Sequence, residues 1–169
     1  MHLTITPGNG PSLDLEFLMP VLIESLLKTD FNANNGSPIH PINLDQYLKN
    51  RPDTIFPIDR NITIEATLEG RPESKIEYGE VKNVSKNSKG YMKSLDWEKY
   101  FHLSNQTNSA PNGSLYVLPE NEKLLKLCTV DYSTEDNLFI SYGAVLSFVI
   151  EGCRYYGSID PIAKISSSE

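Results

Sequence analysis

The sequence predicts an α+β fold in a single globular domain that spans residues 1–169. We expect an antiparallel sheet of five to seven strands, a long N-terminal helix packed on one face, and two short connecting helices. Three observations lead to this prediction: a strand-rich final segment, an alternating segment in mid-chain, and helically spaced leucines near the N-terminus. The chain is long enough to bury one core, and we expect only its last few residues to be frayed.

The final segment, Leu138–Ile165, predicts a β-hairpin with a defined register. It is rich in Val, Ile, Phe and Tyr, and Glu151 and Gly152 interrupt it as a two-residue loop. The predicted pairs on the apolar face are Ile150 with Cys153, Phe148 with Tyr155, Leu146 with Gly157, and Ala144 with Ile159. The predicted pairs on the other, mixed face are Val149 with Arg154, Ser147 with Tyr156, and Val145 with Ser158. The apolar face belongs to a core, because a slip of one residue would expose it to water.

The N-terminal region has the apolar spacing of an amphipathic helix. Ser12 is a suitable N-cap, and the predicted helix runs from Leu13 to about Lys28. Pro20 is expected either to kink this helix or to delay its start. Its apolar stripe consists of Leu15, Leu18, Leu22 and Leu26. We expect this stripe to pack against the apolar face of the hairpin at Phe148.

The middle of the chain predicts two consecutive strands. Apolar and polar residues alternate from Ile62 to Glu69, which is typical of a half-buried strand with Glu65 and Glu69 on its solvent face. A second strand follows from Lys75 to about Val84. Its apolar phase contains Ile76 and Tyr78 and then Val81, so it shifts at Gly79-Glu80, which predicts a β-bulge there.

Shorter elements fill the connections. Asn43 with Gln46 resembles a capping box and predicts a short helix that ends at Leu48. A second short helix is predicted from Leu95 to Phe101, after Ser94 as its cap. Further strands are predicted at Leu115–Leu118 and Leu124–Tyr132, although residues 122–127 also suit a helix.

The net charge of −7 limits the choice of partners. An acidic chain does not favour the phosphate backbone, so we do not expect a nucleic-acid partner, and the charge favours a basic protein partner. No apolar run reaches the length of a membrane helix and the first residues do not resemble a signal peptide, so we expect a cytoplasmic protein without a membrane partner.

Neither the cysteines nor the histidines form a recognisable motif. Cys128 and Cys153 lie in apolar runs, where we expect them to pack as small hydrophobic residues, and whether they pair is left open. The three histidines lack metal-site spacing. We therefore predict no catalytic residues, no metal site and no cofactor.

Two clusters have the composition of recognition surfaces. Aromatic residues that carry a polar group are favoured as interface anchors. The first cluster contains Trp97, Tyr100, His102 and Asn105, although Trp97 and Phe101, four residues apart, also suit packing of a helix on the sheet. The second cluster, on the mixed face of the hairpin, contains Arg154, Tyr156, Ser158 and Asp160.

These observations favour a non-catalytic binding protein, of the inhibitor or immunity type, that masks a protein partner. One alternative is a small hydrolase or transferase whose site is assembled by the fold from His102, Cys128, Asp131 and Asp136. A second alternative is a small-molecule-binding domain with a pocket beside Trp97 and Tyr100.

Overall fold

The protein is built almost entirely from β-strands. The computed structural model describes residues 1–7, 12–16, 20–21, 23–24, 36–47, 56–58, 63–84, 96–130, 138–160 and 162–165. Twelve strands occur in these ranges, in one sheet of four strands and one of eight. No helix of seven or more residues occurs in the same ranges. The predicted α+β fold, with its long N-terminal helix and single sheet of five to seven strands, is therefore wrong.

Each sheet combines segments from both halves of the chain. The strands are β1 (His2–Pro7), β2 (Leu13–Glu16), β3 (Ile42–Asn43), β4 (Phe56–Ile58), β5 (Thr63–Glu69), β6 (Lys75–Asn83), β7 (Thr107–Ser109), β8 (Leu115–Val117), β9 (Leu124–Cys128), β10 (Leu138–Ile150), β11 (Cys153–Ile159) and β12 (Ile162–Ile165). The four-stranded sheet has the order β2-β1-β5-β9, and the larger sheet has the order β3-β11-β10-β6-β8-β7. Strand β12 pairs with both β10 and β4. All pairs are antiparallel except β11 with β3 and β12 with β4.

Strand β2 occupies the beginning of the predicted N-terminal helix. Leu15 pairs with Leu3 of β1, and both side chains are buried. On the outer face of this pair, the Thr4 hydroxyl donates to Asp14 Oδ1 at 2.8 Å. The apolar spacing of this short segment suits a strand as well as a helix, and pairing with β1 decides between them. Helical conformation occurs farther along, at Pro20, Val21, Ile23 and Glu24, whereas Leu18, Leu22 and Leu26 lie outside the described residues.

The terminal hairpin has the predicted register. Every predicted pair is present, from Ile150 with Cys153 to Ala144 with Ile159. Glu151 and Gly152 form the loop with φ of 48° and 79°, the left-handed conformation that a two-residue hairpin turn requires. Strand β12 resumes after this hairpin and pairs with the beginning of β10.

The predicted mid-chain strands are also present, but the bulge lies elsewhere. The β5 residues alternate between buried and partly exposed, as predicted. In β6, Tyr78 pairs with Val145 while Ile76 pairs with Leu146, so Glu77 is the extra residue. The predicted bulge at Gly79-Glu80 is therefore displaced by two residues. Gly79 serves packing instead, because a Cβ there would lie 2.8 Å from Leu125 Cδ1 of the facing sheet.

The core lies between the two sheets. One cluster of buried apolar side chains contains residues of the four-stranded sheet, such as Leu3 and Leu125, together with Leu146 and Phe148 of the eight-stranded sheet. The chain is therefore a β-sandwich, in which each sheet buries one face and presents the other to its surroundings.

The connecting elements are shorter than predicted. Residues Asp45–Tyr47 and Trp97–Lys99 form single 3-10 turns. Asn43 does cap the first, but its side chain accepts a bond from the Asp45 amide at 2.8 Å rather than from Gln46. Ser94 lies outside the described residues, and the predicted strand up to Tyr132 ends at Cys128.

Candidate functional site

The first predicted cluster does not form one surface. Trp97 is buried with 4% of its surface exposed, and its indole N–H donates to the Gly113 carbonyl at 3.0 Å. Its ring packs on Phe101 with the centroids 6.0 Å apart. The helical spacing of these two residues therefore serves the core, and the Trp97 indole is not available to a partner in this arrangement.

The other members of that cluster lie nearer to solvent. Tyr100 is half-buried, and its carbonyl accepts a hydrogen bond from the Val130 amide. His102 and Asn105 are exposed. The fold thus separates Trp97, in the interior, from His102 and Asn105 outside.

The fold does bring His102 next to Cys128. The His102 amide donates to the Cys128 carbonyl at 2.9 Å, and the Cys128 thiol lies 3.6 Å from the Thr63 hydroxyl. Both cysteines are free and exposed, because Cys128 takes an outward position of β9 and Cys153 follows the hairpin loop. The expectation that they pack as small hydrophobic residues is wrong. The carboxylates proposed to complete a catalytic site, Asp131 and Asp136, lie outside the described residues.

The mixed face of the hairpin carries a hydrogen-bonded network across three strands. Arg154 Nη1 donates to the Ser147 hydroxyl at 2.9 Å and to the Glu73 carbonyl at 3.3 Å. The fully buried Ser147 hydroxyl in turn donates to Glu77. Arg154 therefore bonds directly to β10 and to the turn before β6, and it reaches β6 itself through Ser147 and Glu77. The neighbouring Tyr156 is half-buried opposite Ser147.

A cavity of about 310 Å³ opens on the outer face of the eight-stranded sheet, beside this network. Its lining combines residues of β6, β8, β10 and β11 with two surface segments: Ile39, Pro41, Tyr78, Glu80, Lys82, Asn112, Tyr116, Gly143, Ala144, Val145, Ser158, Ile159 and Asp160. We call this space the hairpin cavity. It contains Ser158 and Asp160 of the predicted second cluster, whereas Arg154 and Tyr156 do not line it.

The position of Asp160 is fixed by its neighbours. Its Oδ1 accepts a hydrogen bond from the hydroxyl of Ser141, a residue that is only 3% exposed. A Cβ at Gly143 would lie 3.2 Å from that carboxylate oxygen and 2.9 Å from the Ile159 carbonyl. Glycine at this position therefore gives the Asp160 side chain room beside the floor of the hairpin cavity.

Two tyrosines form another part of the lining. The rings of Tyr78 and Tyr116 meet edge to face with their centroids 5.5 Å apart, and the Tyr78 hydroxyl donates to the Pro38 carbonyl at 2.5 Å. Burial raises the pKa of Tyr78 above its usual value, and the nearby Glu80 carboxylate and Tyr116 add to that rise. Tyr78 thus stays protonated and ties the segment around Pro38 to the sheet.

The charges that line the hairpin cavity sum to −1. Glu80 and Asp160 contribute two carboxylates, and Lys82 contributes one ammonium group. Lys82 lies 3.2 Å from Glu80, whose side chain is 17% exposed. Because Lys82 pairs with the Glu80 carboxylate, the excess negative charge of the lining lies chiefly at Asp160.

Most of the residues that line the hairpin cavity have no signal in the local sequence. Tyr78 was placed in the apolar phase of its strand, and only the bulge at Glu77 turns it to the outer face. Tyr116 and Asn112 join the site because β8 pairs with β6. This long-range pairing has no signature in the local sequence.

The remaining candidate chemistry is limited. Within the described ranges, no group of three or more His, Cys, Asp and Glu side chains could hold a metal ion. Across the same part of the chain, no helix is long and apolar enough to cross a membrane.

Comparison with known proteins leaves the family of this chain open. No family model and no curated protein matches the sequence. Among solved structures, the chain is similar to AggA, the major subunit of aggregative adherence fimbriae type I from Escherichia coli. The TM-score is 0.37 and the identity 8%, over 67% of this chain and 90% of that one. A similarity of this size carries no argument about function.

Proposed function

We propose that this chain is a non-catalytic binding protein that engages a basic protein partner through the outer face of its terminal hairpin. The observation that supports this is the hairpin cavity, which has an excess of negative charge in its lining and two tyrosine rings beside it. Aromatic and charged groups around a concave site are typical of recognition surfaces. A protein that covers its partner in this way would act as an inhibitor or immunity-type protein.

The rim of the hairpin cavity supports protein binding as well. Ile39 is 81% exposed and lines the cavity beside Pro41. An interface gains free energy when such apolar surface is buried next to polar groups that fix the orientation. Ile39 is therefore a candidate contact for the apolar part of a partner side chain.

Charge elsewhere on the molecule offers a matched comparison. The outer face of the four-stranded sheet carries Glu65 and Glu69, and Lys126 lies 3.3 Å from Glu65. These carboxylates lie on an open sheet face, where solvent screens their interactions. They are not among the residues that line the hairpin cavity.

The experiment compares two double variants with the same net charge. Immobilised wild-type protein is expected to retain a basic partner from cell lysate at low salt and to release it at about 0.5 M salt, because salt screens charge attraction. Glu80→Gln with Asp160→Asn is expected to abolish retention of that partner, whereas Glu65→Gln with Glu69→Gln keeps it. Equal retention by both double variants would contradict the proposal.

A small-molecule ligand is a second candidate function, favoured by the cavity volume. About 310 Å³ lies at the lower end of the range of ligand pockets. In this second proposal the ligand site is the hairpin cavity and not the predicted pocket beside Trp97. In a thermal melt against a metabolite collection, a ligand at 100 times its Kd would add about 2.7 kcal/mol to the free energy of unfolding, and the Asp160→Asn variant should lose that gain.

A further inference from the structure

We propose that the hairpin cavity binds an arginine side chain of the partner. This inference rests on the proposed function and names the group that the cavity recognises. It follows from three features of the lining: a fixed carboxylate, a pair of tyrosine rings and an apolar rim.

The fixed carboxylate is that of Asp160. One of its oxygens is held by the buried Ser141 hydroxyl, and Gly143 leaves room for this arrangement. A carboxylate that is positioned before binding loses little conformational freedom when a cation arrives. A charged donor would then form a charge-assisted hydrogen bond, which is roughly twice as strong as a neutral one.

The second carboxylate in the lining is that of Glu80. Glu80 pairs with Gly143, the glycine that adjoins the Asp160 side chain. The flat guanidinium group carries five N–H donors in a fixed fork, so it can bond to more than one acceptor at once. Lys82 lies 3.2 Å from Glu80 Oε2, and its positive charge opposes every cation at this carboxylate, so arginine must gain its advantage over lysine from its fork of donors and not from charge.

The aromatic and apolar walls suit the rest of an arginine side chain. Tyr78 and Tyr116 provide ring surfaces on which a guanidinium group stacks. Ile39 and Pro41 provide an apolar wall for its methylene groups. Arginine therefore matches each part of the lining, whereas an anion would meet a net negative site.

The test is a titration with Nα-acetyl-L-arginine methylamide at constant ionic strength, followed by NMR. Two analogues serve as control ligands: the neutral citrulline derivative, which has nearly the same shape, and the lysine derivative, which keeps the positive charge without the fork of donors. We expect the arginine derivative to bind wild type and the citrulline derivative not to bind. Glu80→Gln and Asp160→Asn should each weaken binding by about tenfold, because each removes a charge-assisted hydrogen bond. Glu65→Gln should leave the affinity unchanged.

The outcomes separate this inference from the proposed function. Binding of the citrulline or lysine analogue as tightly as arginine, or equal binding to wild type and Asp160→Asn, overturns the arginine assignment. In that case the capture experiment decides about the proposed function. If the double variant Glu80→Gln with Asp160→Asn fails to retain the partner, the proposed function stands without the arginine assignment. If the double variant retains the partner as well as wild type does, both proposals fail. Melting curves of each variant verify that the fold is retained.

Discussion

Tyr142 carries a fully buried hydroxyl group in the core. No hydrogen-bond partner for it occurs within the part of the chain that the structure describes. A buried hydroxyl without a partner costs the free energy of its lost hydration, about 1–3 kcal/mol. We therefore expect Tyr142→Phe to raise the free energy of unfolding at pH 7 by about 1 kcal/mol, as measured by urea denaturation. Tyr156→Phe, at a half-buried position, is the control. A Tyr142→Phe protein that is less stable than wild type would contradict this expectation.

Alkaline pH should enlarge the difference between these two proteins. Burial raises the pKa of Tyr142 above its ordinary value of 10.0. Below pH 10 the tyrosine is neutral in both the folded and the unfolded state. Above pH 10 it ionises only in the unfolded state, so the folded state loses stability as the pH rises, by up to about 1.4 kcal/mol per pH unit. Tyr142→Phe lacks this loss, and urea denaturation at pH 10.5 should show a larger gain than at pH 7.

Gly157 adjoins a side chain of the core. A Cβ at this position would lie 2.2 Å from Leu44 Cδ1, so Gly157→Ala must displace the buried Leu44. Such overpacking typically costs about 1–3 kcal/mol. We expect the double variant Gly157→Ala with Leu44→Ala to lose less stability than the sum of the two single variants, measured by chemical denaturation. Strict additivity would show that the two residues do not touch.

The terminal hairpin allows a test of which of its two faces is buried. Phe148 is fully buried on the inner face and stacks on Tyr155, whereas the next residue, Val149, is half-exposed on the outer face. We expect Phe148→Ala to cost about 3–5 kcal/mol. Val149→Ala should cost less than about 1 kcal/mol, because it removes little buried surface. Similar losses for both variants in denaturant titrations would contradict the register.

The same element shows what local sequence can predict. A strand repeats every two residues and a two-residue turn has its own signature, so β10, β11 and β5 were predicted with their buried faces. The conformation of Leu13–Glu16 was not predictable from the local pattern. Its apolar spacing fits a helix and a strand alike, and the decision depends on pairing with β1. The same holds for the bulge at Glu77, which is defined only by the partner strand β10.

At the scale of the whole molecule, the site depends on which strands become neighbours. The hairpin cavity combines segments around Ile39, Tyr78, Asn112 and Asp160, which are far apart in the sequence. No local pattern specifies that these segments meet, and of the predicted second cluster only Ser158 and Asp160 belong to the lining. Trp97 was predicted as a binding residue because tryptophan suits an interface, but the fold buries it in the core.

The outer face of the eight-stranded sheet is the recognition surface that we propose. A backbone NMR titration of the wild-type protein with a tetra-arginine peptide would show which face binds a basic partner. We expect the amide signals of Glu80, Tyr116, Gly143 and Asp160 to shift in proportion to bound peptide. Shifts confined to the outer face of the four-stranded sheet, at Glu65 and its neighbours, would contradict the claim.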